Sequence, residues 1–170
     1  MNNSIIKYKR NNFTEREYIG KIIAINNQKE IIFEFNNNED LVVFRSAQKP
    51  FQALSVLYSK ADKLFNFDDK MLAVCCGSHV GDKKNIEQIK KILKSTGLKE
   101  KDLLCPKAIP LCKKSNIKRK IYHNCSGKHA GILASCLAKN YSIIDYNSPS
   151  HPIEKDIIDR TLEFCEYKNA

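Results

Sequence analysis

The amino-acid sequence predicts a mixed fold, α/β in class with the α+β arrangement, and three observations carry that reading. β-Branched and aromatic runs crowd the first 45 residues, apolar residues at helical spacing take over after residue 46, and Gly, Pro and Asn punctuate the joints. Residues 18–25, 30–35 and 41–45 read as short strands. Asn26-Asn27-Gln28-Lys29 separates the first two and suits a hairpin; Asn36-Asn37-Asn38-Glu39-Asp40 separates the second and third. An antiparallel N-terminal meander therefore leads into a helix from near Ser46, with Phe51, Leu54, Leu57 and Tyr58 as its apolar stripe. Asp68 or Asp69 can cap a short buried helix through Met71–Cys76, stopped by Gly77. Residues 82–96 have the clearest amphipathic pattern, with Ile86, Ile89, Ile92 and Leu93 on one face and Gly97 just past the end. Residues 98–124 are irregular, broken by Pro106 and Pro110. Further helices follow over 127–139 and from Pro152 to Tyr167, the last with Ile153, Ile157, Ile158, Leu162 and Cys165 on one face.

The 170 residues suit one domain or half of a larger one. A chain of this size buries roughly two-thirds of its unfolded surface, so disulfides are not needed to hold it together. The helices outweigh three short strands, and a missing partner segment or a second chain would balance them. No apolar run approaches the ~18 residues of a membrane span. The first residues break into charge before a signal-peptide apolar region can form, so the expected location is the cytoplasm.

The net charge of +10 comes from 24 Lys and only 5 Arg, beside 16 Asn and 20 Ile. Codon bias of an AT-rich genome favours those residues. Nucleic-acid recognition favours the planar fork of Arg instead. The densest basic run, 113–120, lacks interleaved aromatics for base stacking, so a solvated face is expected and no nucleic-acid partner. The seven cysteines form no CxxC pair and are expected to be reduced. Cys75, Cys76, Cys136 and Cys165 lie in apolar runs as small core residues, whereas Cys125 is surrounded by Gly, Lys and His.

Three corners carry reactive side chains. Arg45-Ser46-Ala47-Gln48-Lys49 sets a Ser and a Lys one helical turn apart. A Ser hydroxyl attacks only after a base takes its proton, and Lys is such a base only when burial or a nearby cation lowers its pKa. The helix start also offers backbone N–H groups for a developing oxyanion, and Pro50 is expected to distort that first turn. Gly77-Ser78-His79-Val80-Gly81-Asp82 is a tight turn presenting small polar groups. Cys125-Ser126-Gly127-Lys128-His129 sits at a helix start, with Cys125 and Lys128 on one face. From the residues alone it serves equally as a nucleophilic thiol, a metal ligand or a substrate clamp.

In order and spacing, the blocks 44–54, 76–82 and 124–131, with Asp145-Tyr146 through His151-Pro152-Ile153 after them, resemble the signature blocks of the asparaginase II family. The resemblance covers about residues 15–165 and implies a fold like the N-terminal half of serine β-lactamases and glutaminases. It further implies that Ser46 is the nucleophile, Lys49 its general base, and Ser78 a member of the same proton network. Arg45 and His79 would support substrate binding, and His129 would lie near substrate or behind the metal ligands. Cys125 and Lys128 match a zinc-ligand pair, and a lysine must lose its proton to bind metal. The implied reaction hydrolyses the side-chain amide of L-asparagine to L-aspartate and ammonia. Where the family carries Glu-Ser-x-His-x-Gly, this chain has Glu15-Arg16-Glu17-Tyr18-Ile19-Gly20. Family proteins are about twice as long, so the resemblance implies a single domain incomplete at its C-terminus. A homodimer or a complementary C-terminal half would then complete the site.

Overall fold

The computed structural model describes residues 4–36, 42–112 and 116–165. They fall into two compact units that divide between Val43 and Phe44.

The first unit holds two separate antiparallel hairpins. β1 (Ser4–Arg10) pairs with β2 (Phe13–Ile19), and β3 (Ile22–Ile25) pairs with β4 (Ile31–Phe35). Asn26 closes the second hairpin: its side-chain oxygen accepts from the Gln28 and Glu30 amides, both at 2.9 Å. The predicted run 18–25 is in fact the end of one strand and the whole of another, broken at Gly20-Lys21. The expected third strand is not formed over Val42–Phe44, and its first residue lies outside the described residues. β1 had no place in the sequence reading, because Lys7, Lys9 and Arg10 interrupt its apolar pattern. The strands face water: Ile6 is 58% and Phe13 82% exposed, and the Lys7–Glu17 ion pair at 3.2 Å lies on that surface. A two-stranded hairpin has no second layer to bury such side chains against.

The second unit is helical. It contains α1 (Lys49–Tyr58), α2 (Ala61–Leu64), α3 (Asp69–Cys75), α4 (Lys83–Ser95), α5 (Ser126–Ala138) and α6 (Pro152–Cys165). α5 is the hub, touched by the other five. It is apolar nearly all round, as a central helix must be, with Ile132, Leu133, Ala134 and Cys136 shut off from solvent. Gly127 permits the closest approach, because a Cβ there would stand 2.1 Å from the Val74 carbonyl oxygen of α3.

The helix limits follow local chemistry. The Asp68 carboxylate accepts the Met71 amide at 2.8 Å, starting α3. Asp82 accepts the Lys84 and Asn85 amides at 3.0 and 3.1 Å, starting α4, and Gly97 adopts φ +73° beyond its end. Asp82→Ala is expected to cost about 1 kcal/mol in thermal unfolding. The Asn85 side chain holds the Asp82 carboxyl below the usual carboxylate range. Its contribution is thus present above the unfolded pKa and fades as pH falls through the lowered folded value, so the difference between variant and wild type should shrink in acid.

The four apolar residues expected to pack from α4 are all buried. On α1 the stripe is displaced: Leu57 and Tyr58 are exposed, while Lys49, Ala53 and Val56 face inward. The cause is α5, whose Gly131 would place a Cβ 3.2 Å from Val56. So close a helix pair admits small side chains and excludes large ones. On α6, Ile153, Ile157 and Thr161 are buried and Ile158 is exposed.

Candidate functional site

The three corners of the sequence become three adjoining loops and helix starts of the helical unit. Residues 45–48 form a 3₁₀ turn that runs straight into α1. Lys49 keeps right-handed helical geometry, φ −58° and ψ −38°, despite Pro50, and the tightening is taken by the preceding turn. Three residues per turn eclipse positions i and i+3, so Ser46 and Lys49 share a face. Arg45 has φ +50°, a left-handed conformation that costs a non-glycine residue energy, immediately before Ser46. Ser46 is exposed, and Lys49 is only 5% exposed. The Ala47 amide donates to Phe44 O at 3.0 Å, so this N–H of the turn is already engaged.

Lys49 reaches across to the second corner, where its Nζ donates to Ser78 Oγ at 2.5 Å. Burial lowers the Lys49 pKa; the nearby Cys125 sulfur opposes that and Lys128 adds to it. A lysine so placed surrenders its proton more readily than one in water. The corner itself is pinned from both sides: the His79 amide donates to Asn124 O at 3.2 Å and the Cys112 amide to Val80 O at 3.1 Å. Gly81 is required there twice over, by φ +76° and by Pro110, which would lie 2.8 Å from a Cβ. His79 has both ring nitrogens engaged. Nδ1 accepts the Gly81 amide at 3.0 Å, which leaves the proton on Nε2 to be donated to Ser126 Oγ at 2.9 Å. Ser126 passes its own hydrogen to Ile121 O at 2.8 Å. Burial lowers the His79 pKa, in keeping with a neutral ring.

Cys125 is the N-cap residue of α5. Its sulfur lies 2.8 Å from His123 Nδ1, and the sulfurs of Cys105 and Cys125 and a ring nitrogen of His129 lie within 4.8 Å of one another. A hydrogen bond from the Cys105 thiol, with His129 and His123 beside it, holds Cys125 well below the usual thiol range, while the Cys105 thiol is pushed up. His129 Nδ1 pairs with the Tyr146 hydroxyl at 2.7 Å, and that hydroxyl also accepts the Leu104 amide at 2.9 Å. Lys128, half-buried, lies one turn along α5 from Cys125. This Cys/Cys/His cluster can hold a metal ion. Two sulfurs on a tetrahedral zinc stand about 3.8 Å apart, so closure by about 1 Å or less suffices.

Sequence reasoning named Cys125 and His129 here but missed Cys105, His123 and the hydrogen-bonding role of Tyr146. Only its place outside a regular apolar run, just before Pro106, marks Cys105. All seven cysteines are free thiols. No described helix is long and apolar enough to cross a membrane.

A search of curated proteins finds no match to this chain. The family model described as L-asparaginase II matches residues 6–170, a span that takes in all three corners. The chain belongs to the L-asparaginase II family.

Proposed function

We propose that this chain is an L-asparaginase-type amidohydrolase whose reaction runs through Ser46. Family membership points to asparaginase-type function generally. The observation that supports the finer reading is the buried Lys49, hydrogen-bonded to Ser78 and one 3₁₀ turn from Ser46. Neutral Lys49 takes the Ser46 proton as Oγ attacks the side-chain amide carbonyl of L-asparagine. Ser78, bonded to the same Nζ, relays that proton to the departing amide nitrogen, and ammonia leaves an acyl-enzyme on Ser46. Water, activated by the same lysine, hydrolyses the ester to release L-aspartate. Arg45 is exposed at the mouth of the turn, where a guanidinium can pair with a substrate carboxylate. His79, through Ser126, keeps the Ser78 corner registered against the start of α5. Cys125 anchors a zinc site with Lys128 beside it and His129 behind it; the ion would order this wall of the site. The proposed partners are the small-molecule substrate and a second copy of this chain or a complementary C-terminal half, and the reaction belongs to the cytoplasm.

The test is mass spectrometry of the purified chain after exposure to an electrophilic asparagine analogue, alongside ammonia release from L-asparagine. A single adduct on Ser46, protected by L-asparagine, is the expected result. An unlabelled Ser46 together with no ammonia would overturn the catalytic reading and leave a family member that binds without turning over.

A further inference from the structure

Two thiols from different segments meet where the irregular stretch before α5 reaches the start of that helix: Cys105 and Cys125 hold their sulfurs within 4.8 Å. We propose that Cys125 is an oxidation site for small hydroperoxides and Cys105 its resolving thiol, so that the pair closes reversibly to a disulfide. The proposal goes beyond the reaction at Ser46 and needs no metal at Cys125.

The division of labour follows from position. Cys125 is half-buried, within reach of a small oxidant, whereas Cys105 is 3% exposed and is reached only from inside. Cys125 is also the N-cap residue of α5, where unpaired amides favour negative charge on sulfur. His123 supplies the base. Its Nδ1 accepts the Cys125 amide at 3.3 Å and stands 2.8 Å from Cys125 Sγ, which makes it the acceptor for the thiol proton. The thiolate sulfur attacks one peroxide oxygen and the O–O bond breaks. The departing alkoxide or hydroxide takes the proton from His123, and Cys125 is left as a sulfenic acid. Cys105 Sγ then attacks the Cys125 sulfur, a gap that rotation about the two Cα–Cβ bonds can close. An S–S bond forms, and the sulfenyl OH leaves as water with the Cys105 proton. Two thiols have given two electrons to one peroxide. Cys75 and Cys76, although neighbours in the chain, spend their hydrogens on their own helix instead, on Met71 O at 3.2 Å and Leu72 O at 3.3 Å. The new crosslink stands one residue from Asn124, whose carbonyl accepts the His79 amide, so oxidation is felt at the Ser78 corner.

The experiment treats the reduced full chain, in the presence of a chelator, with hydrogen peroxide, then alkylates it and maps its peptides by mass. Wild type is expected to yield a Cys105–Cys125 crosslink, lighter by two hydrogens and lost on adding dithiothreitol. It should form ~10-fold or more faster than the exposed Cys112 oxidises. Cys105→Ser should leave a sulfenic acid on Cys125 that dimedone traps, and Cys125→Ser should leave Cys105 reduced. His123→Asn should slow the first step ~10-fold. Because buried variants can misfold, wild type alone decides the central point. Equal oxidation rates at Cys125 and Cys112, or Cys125 passing to the sulfinic acid while Cys105 still alkylates, would overturn the proposal. None of these readouts involves ammonia release or bound metal, so the Ser46 chemistry and the zinc reading stand or fall separately.

Discussion

Ser46→Ala should lower kcat/KM for ammonia release from L-asparagine by about 10⁴-fold or more, with the circular dichroism spectrum unchanged. The residue is exposed at the start of a helix and packs against nothing in the core, so its loss has no structural route to so large an effect. Lys49→Met should cost a similar factor, and the double variant should fall no further, because the two side chains act as one unit. Lys49→Arg should be as inactive, since a guanidinium does not give up its proton. Stability should move the other way. A lysine whose folded pKa is lowered by burial destabilises the fold wherever the unfolded chain keeps the ammonium. The gain from Lys49→Met is therefore full below the lowered folded pKa and vanishes above the ordinary lysine value. Wild-type activity should rise with pH through that same lowered pKa. A variant that melts higher and no longer turns over would set Lys49 apart from a packing residue; activity retained in Lys49→Met would remove it from the mechanism.

Gly127→Ala carries the largest expected effect on the fold. In an open helix this change stabilises by roughly 0.5–1 kcal/mol. Here the new methyl would meet the Val74 carbonyl oxygen, and backbone cannot step aside as a side chain can. A loss of about 3 kcal/mol is expected, lowering Tm by roughly 10 °C. Gly77→Ala is the control: nothing lies within 4 Å of its Cβ position, so stability should stay within about 0.5 kcal/mol of wild type. An equal response from both would mean that the α3–α5 contact has slack to give.

How far these features were legible in the sequence depended on how local their causes are. α4 could be read almost to the residue, because an Asp cap, four apolar positions and a terminal Gly all act within one helix. The buried face of α1 could not. Large apolar residues mark an apolar stripe, but the close approach of Gly131 on a helix distant in sequence rewards Ala53 and Val56 instead. The site divides the same way. Ser46 and Lys49 declare themselves by an i, i+3 spacing, and Cys125 by its odd neighbours. Cys105 reaches them only through tertiary folding, and nothing within ten residues of it announces an imidazole partner.

One hydrogen bond also sets a clock. The Leu104 amide sits in an irregular stretch, where backbone hydrogens ordinarily trade quickly with solvent, yet its acceptor is a phenol with no solvent exposure at all. Exchange at that amide must wait until Tyr146 leaves its seat, and Tyr146 cannot leave without releasing His129. Deuterium uptake at Leu104 therefore times the loosening of the start of α5 from a reporter outside that helix.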